Sequence, residues 1–169
     1  GENMPAIAHI GVGLAAKRIT PKINAGWLIL ASEFIEVIFL ILWAAGVETV
    51  PTNDTGSYSP YSHSVIMGVF WSFLAGFFVL WLSKNRKTAL IIGTLVFSHT
   101  LLDIIASPKT AFFAADIGMP IFFDITQTVG LGLWRYETVA YIGEYGFVLI
   151  GLLVYLNERR RIKQTFVVT

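Results

Sequence analysis

The chain has 169 residues, of which 55% are hydrophobic and only 14% charged, with a formal net charge of +1. Soluble domains carry about 25% charged residues, so this balance, with a mean hydropathy of +0.68, points to an all-α integral membrane protein. The near-neutral charge leaves no electrostatic basis for nucleic-acid binding, and the lack of cysteine excludes thiolate ligands, so any metal must be held by His, Asp, Glu or water.

Residues 1–3, ahead of Met4, read as an expression remnant, and 4–158 as a single helical membrane domain. No basic stretch precedes the first apolar segment, so a cleaved signal peptide is not expected. Five apolar segments follow, at 4–16, 23–47, 64–83, 88–106 and 138–156. The first is short, since a full crossing takes ~20 residues; its Gly11-Val12-Gly13 reads as a helix-packing site. Lys17, Arg18 and Lys22 come next, with Pro21 as a turn residue. Trp27 and Trp43 stand near the ends of the second segment, as an interfacial belt would. Residues 49–60, rich in Pro, Asn, Asp, Gly and Ser, form a loop. Lys84-Asn85-Arg86-Lys87 turns the third segment into the fourth, and Ser107-Pro108 stops the fourth. The mixed stretch 108–137 reads as a lid or re-entrant segment at the membrane interface. Glu158-Arg159-Arg160-Arg161 ends the last helix and opens a basic cytoplasmic tail over 159–169.

The basic residues predict an orientation. Ten of them (Lys17, Arg18, Lys22, Lys84, Arg86, Lys87, Arg159, Arg160, Arg161 and Lys163) fall on one side, and only Lys109 and Arg135 on the other. The positive-inside rule then gives five segments with the N-terminus out and the C-terminus in the cytoplasm. At 1.5 Å per residue Glu36 lies ~20 Å up the second helix from its cytoplasmic end, and His99 and Asp103 lie ~17 and ~23 Å up the fourth. His63 starts the third helix at the outer face, and Glu144 lies about two turns into the last helix from the same side. Separate segments thus place ionisable groups at similar depth in the outer half of the bilayer.

Such groups are expensive there, at roughly 2.5–3.5 kcal/mol each on insertion scales, and their clustering marks a functional site. His99 and Asp103 are four apart and share a helix face; Glu33 and Glu36 are three apart. Two carboxylates in a low dielectric require either a cation or a proton. Glu36, His63, His99 and Asp103 form a mixed N/O set suited to a divalent metal, zinc first, with manganese or iron also compatible. A site of this kind with an open position activates water for hydrolysis, a remaining carboxylate serving as base. The same residues also suit a proton or cation relay, or polar glue between helices. His9 has a plain packing role as its alternative, His63 a helix-capping role beside Ser62, and Glu48 reads as a helix-end charge.

Taken in order, His9, Ala15-Ala16-Lys17-Arg18 with Pro21, Glu36, Gly46-Val47-Glu48, Tyr61-Ser62-His63-Ser64, Ser98-His99-Thr100-Leu101-Leu102-Asp103 and Val129-Gly130-Leu131-Gly132-Leu133-Trp134 form a pattern over nearly the whole chain. It resembles the bacterial inner-membrane metal-dependent hydrolases, the LexA-regulated membrane hydrolase-like group, and more closely an uncharacterised branch of small membrane proteins. The resemblance implies a metal held by Glu36, His63, His99 and Asp103, with His9 as a further ligand or proton shuttle; Glu33, by its place beside Glu36, is the candidate base. The expected substrate is a lipid or another membrane-located ester or phosphoester. The chain departs from the pattern in having Glu36 for an aspartate, and Pro60 and Ser107 where relatives carry further histidines.

Overall fold

The computed structural model describes residues 7–50 and 59–168, residues 165–168 by backbone alone. These form α1 (Ala8–Ala15), a 3-10 turn over Ala16–Arg18, α2 (Ala25–Ser32), α3 (Phe34–Ala44), α4 (Pro60–His63), α5 (Val65–Ser83), α6 (Arg86–Ala106), a short antiparallel pair β1 (Met119–Pro120) and β2 (Thr128–Val129), a 3-10 turn over Leu133–Arg135, and α7 (Glu137–Val168). The predicted all-helical class is what the described residues adopt. Three helices, α5, α6 and α7, are long and apolar enough to cross a membrane, and the bent pair α2–α3 makes a fourth candidate.

The hub is α6. Leu95, Val96, His99, Thr100, Asp103 and Ala106 are buried on it, at the three- and four-residue spacing that keeps them on one face. Leu95 and Val96 join Ala16, Leu28, Ala31 and Ile35 in the main apolar core. By contrast α5 presents Phe73 (76% exposed) and Phe77 (68%) outward, an apolar surface that water would not tolerate over five turns. The tight α5–α6 turn has defined ends. Lys84 takes a left-handed φ of 54°, and the Asn85 side chain accepts from Thr88 N at 3.1 Å to cap α6.

The second apolar segment is not one straight helix. It breaks at Glu33 with a bend of 58°. Ser32 Oγ bonds back to Ile29 O at 2.9 Å, a local competition with the helical ladder that bends helices. The break turns the Ser32 carbonyl toward α6 and restarts the helix so that Glu36 falls in its first turn.

α1 lies between α7, α2 and α6. The predicted glycine packing site is present. Gly11 backs onto the Phe147 carbonyl of α7, Gly151 of α7 backs onto Gly11, and Gly13 faces Ser32 and Ile29. Glu144 fixes the other side of this contact. Its Oε2 accepts from Ile7 N and Ala8 N, both at 2.7 Å, and its Oε1 from Trp134 Nε1 at 3.1 Å. A carboxylate at a helix N-terminus satisfies donors the helix cannot, so Glu144 is explained by structure.

Several element boundaries differ from expectation. α7 continues through the basic residues that were placed in a tail, because nothing in Asn157-Glu158-Arg159-Arg160-Arg161 breaks a helix. The stretch 108–137 is mostly loop folded on the end of α6, and it contains the β1–β2 pair and the 3-10 turn. Leu131 N bonds Ile104 O at 2.8 Å and Gly132 N bonds Ser107 O at 2.7 Å; Gly130 lies so close to the Ser107 carbonyl that a Cβ would overlap it. Residues 1–6 and 51–58, with most of the predicted 49–60 loop, lie outside the described residues.

Candidate metal centre

Four elements bring the centre together. α6 carries His99 and Asp103, α3 carries Glu36, α4 ends on His63, and α1 carries His9. His63 does not start the third segment's helix. It closes the four-residue α4, and Ser64 caps α5 separately, accepting from Met67 N. That break swings the imidazole inward from the mouth of the helix.

His63 Nε2 lies 3.6 Å from Glu36 Oε1 and 3.8 Å from Asp103 Oδ2. His99 Nε2 lies 3.7 Å from the same glutamate oxygen and 3.4 Å from the same aspartate oxygen. The His9 ring stacks on His99 with centroids 3.7 Å apart and 11° between planes. His9, His99 and Asp103, and likewise Glu36, His63 and His99, each offer ligand atoms within 4.8 Å of one another.

Hydrogen bonding on the far sides of the two histidines decides what their near sides present. His99 Nδ1 is 2.9 Å from Ser32 O. A carbonyl can only accept, so Nδ1 carries the hydrogen and Nε2 a lone pair. His63 Nδ1 is 2.8 Å from Ser62 Oγ, whose hydroxyl lies 2.6 Å from Glu48 Oε2. The other oxygen of Glu48 takes Tyr61 N and Ser62 N at 2.8 and 2.9 Å. With Ser62 donating to the carboxylate, its oxygen accepts from His63 Nδ1, and in the neutral ring His63 Nε2 presents a lone pair. Glu48, 1% exposed, is therefore no helix-end charge. It orients His63 through Ser62, as partners behind metal-bound histidines commonly do.

Two imidazole nitrogens and two carboxylate oxygens thus converge, a set that needs either a metal cation or a proton among them. His99 Nε2 and Asp103 Oδ2 are buried and without a hydrogen-bond partner, as is His9 Nδ1. Buried polar atoms are ordinarily satisfied, and a set of acceptors facing one another is repulsive unless a cation stands among them. The four histidine–carboxylate distances are compatible with one. At the bond lengths of zinc, ~2.0–2.2 Å, tetrahedral ligands lie about 3.3–3.6 Å apart, against the 3.4–3.8 Å found here.

All four sequence-predicted ligands meet at this point, and His9 joins them. Glu33 sits at the α2–α3 break with a buried, unpartnered Oε1 but is not in either ligand group. Lys109 was not among the expected site residues. Its Nζ is 2.8 Å from Asp103 Oδ1. Burial alone would lower its pKa, but the Asp103 carboxylate more than offsets this and holds the ammonium above its ordinary value. Its position as one of only two basic residues on its side of the chain, six after Asp103, was the available signal.

Ser62→Ala removes the acceptor that fixes the His63 tautomer. The affinity of the centre for a divalent ion is then expected to fall about 10–100-fold, measured by competition with a chelating dye. An unchanged affinity would mean that Ser62 does not orient His63.

Comparisons with protein-family models, with curated proteins and with solved structures found no match to this chain.

Proposed function

We propose that this protein is a multi-pass membrane protein of the bacterial inner membrane. Its His–carboxylate centre holds a divalent metal, zinc in first place and manganese or iron in second. Its activity is metal-dependent hydrolysis of a lipid or another membrane-located ester or phosphoester. The observation that carries this reading is the convergence of His63 Nε2, His99 Nε2, Glu36 Oε1 and Asp103 Oδ2 at 3.4–3.8 Å, with Nδ1 of each imidazole bonded on the far side. The resemblance of the chain to the membrane hydrolase-like group points the same way.

The orientation with the N-terminus out rests on the positive-inside rule, and the geometry is compatible with the basic residues sharing one side. Arg18 and Glu158 approach to 3.9 Å, so the basic ends of α1 and α7 lie together. The stacking of His9 on His99 sets the N-terminal part of α1 beside the C-terminal half of α6, which leaves Arg86 at the basic end. The centre then lies in the outer half of the bilayer, where a lipid ester is within reach.

A divalent ion in this centre would supply a Lewis acid and lower the pKa of a bound water. Glu36, His63, His99 and Asp103 would hold it, with Ser32 and the Ser62–Glu48 pair keeping both imidazoles in the ligating tautomer. Glu33, one helical turn before Glu36, serves as base. His9, packed flat on His99, shuttles protons or adds a fifth ligand.

Metal analysis of protein purified in detergent without chelators tests the reading. About one metal ion per chain is expected from the single four-ligand centre, together with hydrolysis of membrane lipids that stops when the metal is stripped and returns with zinc. Protein that takes up no metal on zinc titration sinks the proposal and favours a proton or cation relay.

A further inference from the structure

Lys109 is an unusual neighbour for a metal ligand. It occupies one oxygen of Asp103, Oδ1 at 2.8 Å, while Oδ2 faces the two histidines. An ammonium has three hydrogens. Asp103 Oδ1 accepts one, and the side chain is 24% exposed, so the group keeps donors to spare beside the centre. Its backbone is held as firmly as a helix residue's. Lys109 N bonds Asp116 Oδ2 at 2.6 Å, and Gly118 N bonds Asp116 Oδ1 at 2.9 Å. The same loop is pinned to the end of α6 through Gly132 N and Ser107 O at 2.7 Å.

The charges make this placement informative. Glu36 and Asp103 neutralise a divalent ion, and His63 and His99 ligate as neutral imidazoles. The nearby ammonium adds a positive charge beside the ion, offset in part by Glu33 and Asp116, and its remaining hydrogens can donate to an anionic ligand.

We infer that Lys109 is the anion-recognition group of the centre and that the ligand it selects is a phosphate ester, one phosphoryl oxygen facing the metal position and another accepting from Lys109 Nζ. This rests on the metal reading above. A phospholipid headgroup and a soluble phosphoester share this chemistry.

The test uses detergent-purified full-length protein loaded with cobalt(II), whose visible spectrum reports changes at the metal, titrated with inorganic phosphate. Wild-type protein is expected to show a saturable spectral change with phosphate and none with acetamide. Lys109→Gln is expected to keep its cobalt and to bind phosphate about 10–100-fold more weakly, the loss of one charge-assisted hydrogen bond. Lys109→Arg should restore most of that affinity. Equal phosphate affinity in wild type and Lys109→Gln overturns the inference. So does a Lys109→Gln protein that cannot hold cobalt, since Lys109 would then be the counter-ion of Asp103 and nothing more. If wild-type protein takes up no cobalt, the metal reading fails first, and the two failures are told apart at the loading step. Competition of phosphate by dihexanoyl phosphatidate and by glycerol 3-phosphate assigns the source: tighter binding of the lipid points to a headgroup, equal binding to a soluble ester, and either upholds the phosphate chemistry.

Discussion

Replacing His99 by alanine is expected to strip the protein of its metal. Four-ligand structural zinc sites bind with about 10–16 kcal/mol, which apportions roughly 3 kcal/mol to each ligand, or about two orders of magnitude in affinity. The same change breaks the bond from Nδ1 to Ser32 O and the stack with His9, so lost stability alone would not distinguish a metal ligand from structural glue. Glu36→Gln makes the distinction by sign. Glu36 and Asp103 both reach the same two imidazole nitrogens, so their carboxylates repel each other when no cation lies between them. Removing one charge relieves that repulsion and should raise the melting temperature of metal-stripped protein, while lowering that of metal-loaded protein and weakening zinc binding. Thermal unfolding of both variants with and without zinc reads this directly. If Glu36→Gln lowers the melting temperature equally in both states, the cluster is a hydrogen-bonded girder between helices and the metal reading is wrong.

The residues that meet in the centre were legible because each is ionisable in or beside an apolar run. His99 and Asp103 announce themselves by four-residue spacing within such a run, and His63 and Glu36 by the similar depth that the positive-inside expectation assigns them. Depth carries no azimuth, however, and the azimuth depends on breaks that periodicity does not reveal. The bend at Glu33 aims Glu36 and frees the Ser32 carbonyl for His99. The interruption between His63 and Ser64 turns His63 inward. Glu48 was misread because its partners, Tyr61 N and Ser62 N, lie 13 and 14 residues away, across a loop whose closure no local pattern encodes. Lys109 was read only as a topological marker for a related reason: what brings its ammonium to Asp103 is a loop folded back on α6, held by backbone bonds from Leu131 and Gly132. Helical segments follow from composition and period, whereas the chemistry here is assembled by the breaks and loops between them.

Gly11→Ala is expected to destabilise the protein by about 3 kcal/mol or more, the upper range for overpacking a tight contact, against the sign that helix propensity alone predicts. In an exposed helix the change from glycine to alanine is worth roughly 0.5–1 kcal/mol in favour of alanine. At Gly11, though, the new Cβ would overlap the backbone carbonyl of Phe147 and crowd Val148 N, and at Gly151 it would overlap the Gly11 carbonyl. Backbone cannot rotate aside as a side chain can, so α1 and α7 must separate, and close approach of small residues is what holds helices together where lipid surrounds them. The displacement reaches the centre, since His9 lies two residues before Gly11 and Glu144, seven before Gly151, caps the helix that carries it. A drop of about 6–12 °C in melting temperature is the corresponding shift for a chain of this size. Gly146 of α7 serves as the control, because a Cβ there meets nothing within 4 Å; Gly146→Ala should leave the melting temperature unchanged or raise it. Gly11→Ala and Gly151→Ala act on one contact, so the double variant should lose less than the sum of the two. Additive losses, or a Gly11→Ala protein as stable as wild type, would mean that α1 and α7 do not meet at these glycines, and that His9 is carried to the centre by some other packing.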